Sequence, residues 1–354
     1  MQASALGPGR AFPRAYAIPS LRSEDEAVLG EIHGMRKTLR HVLRTPRRWE
    51  GVLRRNALAR NIQGSNSIEG YTVAEDDAAA AVDGEVPFSA DEKTFLEIQG
   101  YRQALSHDLG KTPGRYRKGP DGSDAAGVPA LMESLAASLH TGLGSDPVVR
   151  SAMAHLNLVM IHPFRDGNGR MARALATLVL ARSDIAEPEF SSIEEWLGAN
   201  TQDYYAALAL TGQGSWRPRD DAHLWLAFNL RAHHMQAQTV ARRVTEAGQT
   251  WSELEELATR HGLPERSTDA MFDAALGYRV RRAGYVKHAD VSDLTASRDL
   301  AALTSAGVLA AHGNGRGRYY AAGEPLREIR QRRRADRSPL RDPYPWMRGR
   351  LAGP

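Results

Sequence analysis

The run His162-Pro163-Phe164-Arg165-Asp166-Gly167-Asn168-Gly169-Arg170-Met171-Ala172-Arg173 constrains this chain more than any other stretch. Gly167 and Gly169 remove side-chain bulk, so backbone N–H groups there can come close to an anion. Met171, Leu175, Leu178 and Val179 follow at helical spacing, which predicts a helix starting near Asn168. The N-terminus of that helix offers unpaired N–H donors and the positive end of a dipole, both suited to phosphate. Arg170 and Arg173 are three residues apart, share roughly one face and can grip neighbouring phosphates. His162 is a base at the entrance, and Asp166 is a hard oxygen ligand for a cation. The stretch reads as a phosphate cradle with a base beside it. The plainer alternative is a glycine turn between two core helices with its arginines in solvent.

The rest of the chain limits the chemistry further. It has 354 residues, enough for two or three domains with ample core. There is no cysteine, which excludes disulfides, zinc–thiolate sites and cysteine nucleophiles. No apolar run is long enough to cross a bilayer, and the first twenty residues make a poor signal peptide, so a cytoplasmic protein with no membrane partner is expected. The formal net charge is only +4, with arginines gathered after Leu326. That balance permits contact with nucleic acid without demanding it.

Helical periodicity dominates. Val28, Ile32, Met35, Leu39 and Leu43 predict an amphipathic helix from about 24 to 43, and a second is expected from about 49 to 69, stopped by Gly70. Further helices are expected over 91–109, 130–143, 147–161, 194–210 and 221–248. His155 falls within one of them and reads as a hydrogen-bonded core residue.

The 162–173 run resembles the Fic motif, H-x-F-x-D/E-G-N-G-R-x-x-R, at every defined position. The resemblance implies an all-α fold: a Fic-type helical bundle with a small β-hairpin flap. It implies a protein adenylyltransferase that moves AMP from ATP, with Mg²⁺, onto a Ser, Thr or Tyr hydroxyl of a target protein, or of the chain itself. His162 would be the base and Asp166 the metal ligand. Gly167, Asn168, Gly169, Arg170 and Arg173 would hold the phosphates, and Asn200, Tyr204 and Tyr205 would lie near the adenine. Gly114, Tyr116 and Arg117 agree with the G-x-Y-R segment of the flap beside the site. Ser65, Glu69 and Gly70 fall on the fixed positions of the family's inhibitory S/T-x-x-x-E-G/N motif, in which the Glu carboxylate pairs with the arginine expected to hold the γ-phosphate. Two other reactions on the same fold are removal of AMP and γ-phosphate transfer; Gly169, where the phosphotransferase pattern has Lys, argues against the second.

Residues 251–323 are similar to a winged helix-turn-helix. A Thr-x-Ser-Arg helix is followed by Gly313–Tyr320, where Asn314-Gly315 predicts a tight hairpin turn. Thr295, Ser297, Arg298 and Arg316 are then candidate DNA contacts, which would suit a regulator whose Fic core senses nucleotide. A dimer or protein contact is the alternative use. The expected division is 1–110 (N-terminal helical region, inhibitory helix about 50–70), 111–250 (catalytic core), 251–323 (winged helix) and 324–354 (a disordered Arg/Pro-rich tail).

Overall fold

Two cores share one long helix. The computed structural model describes residues 15–85, 127–141, 144–183, 188–214 and 216–352. In chain order they form α1 (Ser23–Leu43), α2 (Glu50–Ile68), α3 (Glu75–Asp83), α4 (Val128–Thr141), α5 (Pro147–Ile161), α6 (Asn168–Ala181), α7 (Pro188–Ser191), α8 (Glu194–Ala199), α9 (Thr201–Gly212) and α10 (His223–Arg260). Then come α11 (Thr268–Leu276), α12 (Arg282–Ala289), α13 (Asp293–Ser305), β1 (Leu309–His312), β2 (Tyr319–Ala322), α14 (Glu324–Ala335) and α15 (Met347–Leu351). Among the described residues the fold is all-α apart from the antiparallel β1–β2 pair. The expected helix at 91–109 and the flap residues Gly114, Tyr116 and Arg117 lie outside the described residues.

The 38-residue α10 is about 57 Å long. Its first half buries Trp225, Leu226, Phe228 and Leu230 with Val28, Leu29 and Ile32 of α1 and Val148, Val149 and Leu156 of α5. Its second half buries Val240, Val244, Trp251 and Leu254 with Phe272 of α11, Leu300 and Leu303 of α13, and Trp49, Val52 and Leu53 near the start of α2. The expected break at 248–251 is therefore absent. Gly248 lowers helix propensity by about 1 kcal/mol, but Val244, Ala247 and Trp251 around it are buried, and that burial outweighs the loss.

Polar pairs tie α1 to α10. Asp25 is fully buried, and its Oδ2 lies 2.7 Å from His223 Nε2. His234 Nε2 meets Glu31 at 2.6 Å, and Arg36 Nη2 meets His233 Nδ1 at 2.9 Å.

Beyond α10, α12 and α13 are joined by a short turn in which Asp290 is left-handed, and Ser292 caps α13 by accepting from the Thr295 N–H. The hairpin that follows pairs Leu309 with Ala322 through to His312 with Tyr319. Pairing stops there, so residues 313–318 form a longer loop with a 3-10 turn at Gly315–Gly317, not the two-residue Asn-Gly turn expected. Gly313 and Gly315 take positive φ (68° and 57°), which only glycine adopts without strain.

The segment 324–352 is ordered, which corrects the expectation of a disordered tail. Leu326 and Ile329 of α14 are buried in the second core, and Tyr344, Met347 and Leu351 in the first. Its arginines find acids on α10: Arg332 and Arg333 pair with Glu253, and Arg337 with Glu246. The acids that pair with these arginines lie some 80 to 90 positions earlier in the chain.

Candidate functional site

Helix α5 ends at His162, which sits in the left-handed region (φ 51°, ψ 54°) and donates its backbone N–H to Leu158 O. Left-handed backbone is unfavourable for a residue with a Cβ, and Pro163 prevents the helix from continuing. The His162 ring is exposed, with Nδ1 3.3 Å from Val159 O. A carbonyl only accepts, so this contact puts the proton on Nδ1 and leaves the Nε2 lone pair open.

The loop then closes on Asn168. Its Oδ1 accepts from Phe164 N at 2.9 Å, and its Nδ2 donates to Phe164 O at 2.8 Å. Asn168 is buried, and its carboxamide shapes the loop through these two bonds. Gly167, at φ 79°, starts α6, and its own N–H is held by Asp166 Oδ1 at 2.7 Å. Asp166 is exposed. Among the described residues no three or more His, Asp or Glu side chains gather to hold a metal. A cation at Asp166 would need most of its ligands from phosphate and water, which suits Mg²⁺.

One turn into α6, Arg173 is buried against the end of α2. Its Nε donates to Ser65 Oγ (2.8 Å), and its Nη2 donates to Ser65 O (3.1 Å) and Glu69 Oε1 (2.8 Å). Its Nη1 is buried without a hydrogen-bond partner, an uncommon state for a charged group. Gly169 lies directly beneath: a Cβ there would collide with Glu69 Oε1 and come within 3.1 Å of Arg173 Nη1. The Glu69 carboxylate thus rests over the first turn of α6, where its charge meets the helix dipole. Gly70 follows at φ 85° and lets the chain turn away.

Helix α2 is held in this pose by a glycine contact. A Cβ on Gly198 of α8 would stand 2.6 Å from Gly64 Cα, and one on Gly64 would strike the Glu194 carbonyl. The two backbones touch, one residue before Ser65. Tyr205 Oη donates to Ile68 O at 3.0 Å, adding a second fastening. Sequence reasoning missed Gly64 and Gly198. The available signal was a glycine inside a helical pattern, which usually has a packing reason.

A neutral layer lies behind Arg173. Tyr204 is buried, its Oη 3.0 Å from His155 Nε2 and its ring against Trp225. It is therefore a core residue with no exposed ring face. Burial, together with the nearby Arg173 charge, brings His155 down to about 3; burial pushes Tyr204 up to about 12. Glu194 is also fully buried, and burial alone holds its carboxyl well above the usual range. Among the described residues, Glu69 is the acidic side chain that hydrogen-bonds Arg173. Asn200 stands between α8 and α9, its Nδ2 on Trp196 O at 2.8 Å, and Tyr205 is half exposed.

The structure thus brings together Ser65, Glu69, Gly169, Arg173 and Tyr205, with His162, Asp166 and Asn168 on the loop leading into α6. Thr295, Ser297 and Arg298 lie on α13, away from this group. The Ser297 hydroxyl bonds Asp293 O and the Thr295 hydroxyl meets Ser292, while Arg298 is exposed. Arg316 lies in the β1–β2 loop.

Residues 91–180 match the model of the Fic/DOC family. The chain is 41% identical over 76 residues to a protein adenylyltransferase fic-1 of Caenorhabditis briggsae, a match covering 22% of this chain and 14% of that protein. It is 32% identical over 130 residues to a protein adenylyltransferase Fic of Nematostella vectensis, covering 34% and 29%. The matches therefore span only a minor part of these relatives. A Fic family protein from Desulfovibrio desulfuricans G20 superposes with a TM-score of 0.52 at 22% identity, over 87% of this chain and 99% of that one, which shows a shared fold. The chain therefore carries a Fic/DOC-family domain.

Proposed function

We propose that the chain transfers AMP from ATP to a hydroxyl of a protein and that Glu69 restrains it. The observation that carries this reading is the Glu69–Arg173 pair above Gly169. A carboxylate fills the position on the first turn of α6 where the cradle would take a terminal phosphate, and it occupies the guanidinium that would hold one.

In the unrestrained form, Arg170 and Arg173 grip the β- and γ-phosphates and orient the leaving pyrophosphate. The N–H groups at the start of α6 stabilise charge on the phosphate oxygens. Asp166 would hold Mg²⁺, which would neutralise phosphate charge. The acceptor hydroxyl attacks the α-phosphorus, its proton passes to His162 Nε2, and the bond to pyrophosphate breaks. Tyr205 and Asn200 border the adenine side, and the segment with Gly114, Tyr116 and Arg117 docks the target. Positioning and electrostatics do most of the work, as in phosphoryl-type transfers generally.

Support comes from the open Nε2 of an exposed His162 and from relatives named protein adenylyltransferases over the matched part of the chain. Removal of AMP is the second reading, favoured by a carboxylate, partly exposed, beside the cradle that could activate water. Intact-mass analysis of Glu69→Gly after incubation with ATP and Mg²⁺ tests the first reading. A gain of one AMP mass supports it; a gain of one phosphate, or none with every candidate target, sinks it.

A further inference from the structure

On the side of α2 away from Arg173 lies a cavity of about 460 Å³, walled by α2, α3, α8, α10, α11 and α14. This volume is in the range of small-molecule sites. Six arginines line it (Arg60, Arg243, Arg330, Arg333, Arg334 and Arg337) against the acids Glu75, Glu195 and Glu246.

Four of these arginines are largely engaged. Arg243 forms a fork with Glu195 (2.5 and 2.7 Å), Arg337 one with Glu246 (2.6 and 2.8 Å), Arg60 meets Glu75 at 3.3 Å, and Arg333 pairs with Glu253. The engagement is incomplete, because Arg60 Nε and Arg333 Nε are buried with no hydrogen-bond partner. The side chains of Arg330 and Arg334, one turn apart on α14, have no ion pair or hydrogen bond among the described residues. Burial first, and then the Arg334 charge, pull Arg330 below the usual guanidinium range. Two like charges are thus held together at the mouth of a concave, basic site. Among the described residues no aromatic ring lines it, so none of them offers a stacking face for a base.

We infer that this cavity binds a small, multiply phosphorylated anion such as an oligophosphate, and that the bound anion strengthens the Glu69–Arg173 restraint. Two or more negative charges would balance Arg330 and Arg334, the two arginines left over once Glu75, Glu195, Glu246 and Glu253 are counted, and phosphate oxygens accept in the geometry guanidinium forks provide. The coupling rests on the restraint proposed above. One wall of the cavity is α2 itself, through Arg60, Gln63, Gly64 and Ser67, in the pose that delivers Ser65 and Glu69 to Arg173. Withdrawing α2 would dismantle that wall. A ligand that needs the wall therefore favours the restrained state.

Calorimetric titration of the full chain with tripolyphosphate tests the site. One saturable site is expected, with affinity falling at least tenfold in Arg334→Glu and further in Arg330→Gln/Arg334→Glu. Arg334 is exposed, so the single variant should keep its fold, which its melting curve would verify. Binding should survive Arg170→Ala/Arg173→Ala. Loss in that cradle variant, with the α14 variants unaffected, would put the anion in the cradle and overturn the inference while leaving the proposed function standing. Absence of tripolyphosphate binding, with Arg334-dependent capture of short duplex DNA, would also overturn it. For the coupling, tripolyphosphate should lower wild-type self-labelling several-fold and leave Glu69→Gly unchanged. Equal inhibition of both would mean simple competition with ATP and end the coupling. If Glu69→Gly never labels, the proposed function fails, and the calorimetry still decides the site.

Discussion

Glu69 Oε1 and Arg173 Nη2 lie 2.8 Å apart, and the arginine is almost wholly buried while the carboxylate keeps contact with solvent. Freeing the arginine therefore requires moving only the more exposed partner. Glu69→Gly should raise self-labelling from α-³²P-ATP at least tenfold, with Ser65 still holding Arg173 Nε. Equal labelling of the two proteins would mean that the pair braces the structure and restrains nothing.

His162 should matter to chemistry alone. It is exposed, and among the described residues its ring makes one hydrogen bond, to Val159 O, so His162→Ala removes little packing. In the Glu69→Gly background, His162→Ala should cut transfer by a factor on the order of 100 or more while ATP affinity stays within about twofold. Rapid transfer by the double variant would take the base role away from His162.

The backbone contact between Gly64 and Gly198 makes another prediction, because no side chain can yield there. Gly64→Ala forces a methyl into the Glu194 carbonyl and to 2.9 Å from Glu195 Cα. Overpacking of this kind costs about 1–3 kcal/mol. It should push α2 off α8, lower the melting temperature and raise self-labelling together. A melting temperature that falls with labelling unchanged would show that α2 positions Glu69 without help from this crossing.

Much of this site can be read from residue types close together in the chain. The 162–173 run encodes its own turn and helix start, since Gly167, Asn168 and Gly169 act within a few positions of each other. Ser65 and Glu69, four apart, fall on one side of α2. What periodicity hides is the partner across space. Tyr204 and Tyr205 are adjacent, yet one is buried and the other about half exposed, because α9 turns them by about 100° relative to each other. The Arg-rich tail looked unfoldable because Glu246 and Glu253, which neutralise it, are distant in sequence. The unbroken α10 was hidden by Gly248 for the same reason: the burial that sustains it is tertiary.

Glu195 should govern part of the acid stability. Burial alone would raise its pKa, but hydrogen bonds and charge from Arg243, with Arg60 behind them, bring it down to about 2. An unfolded glutamate titrates near 4.3, so the unfolded chain binds more protons between those values. The stabilisation is present above about pH 4.3 and is lost as pH falls toward 2. Glu195→Gln should flatten the fall in melting temperature across that window and lower stability at neutral pH by about 1–3 kcal/mol. An unchanged acid slope would mean that other carboxylates carry it.

The C-terminal segment offers the last test, at a point far from the cradle. Tyr344 is fully buried, and its hydroxyl donates to Asp25 Oδ1 at 2.7 Å, closing a triad with His223 that joins the tail, α1 and α10. Burial raises the Asp25 pKa, but the Arg22 N–H, His223 and Tyr344 together outweigh it and leave the carboxyl below its usual range. Tyr344→Phe keeps the ring and removes one of those donors from a carboxylate with no access to water. The cost should be about 1–3 kcal/mol. Its sign with pH is also fixed: a less depressed Asp25 loses its stabilisation at a higher pH, so the acid-unfolding midpoint should move upward. Deleting residues 338–354 should do the same and more, because Met347 and Leu351 leave the core with the tyrosine. If the truncated chain melted and acid-unfolded like the full one, the tail would merely rest on the bundle, and its order would contribute nothing to stability.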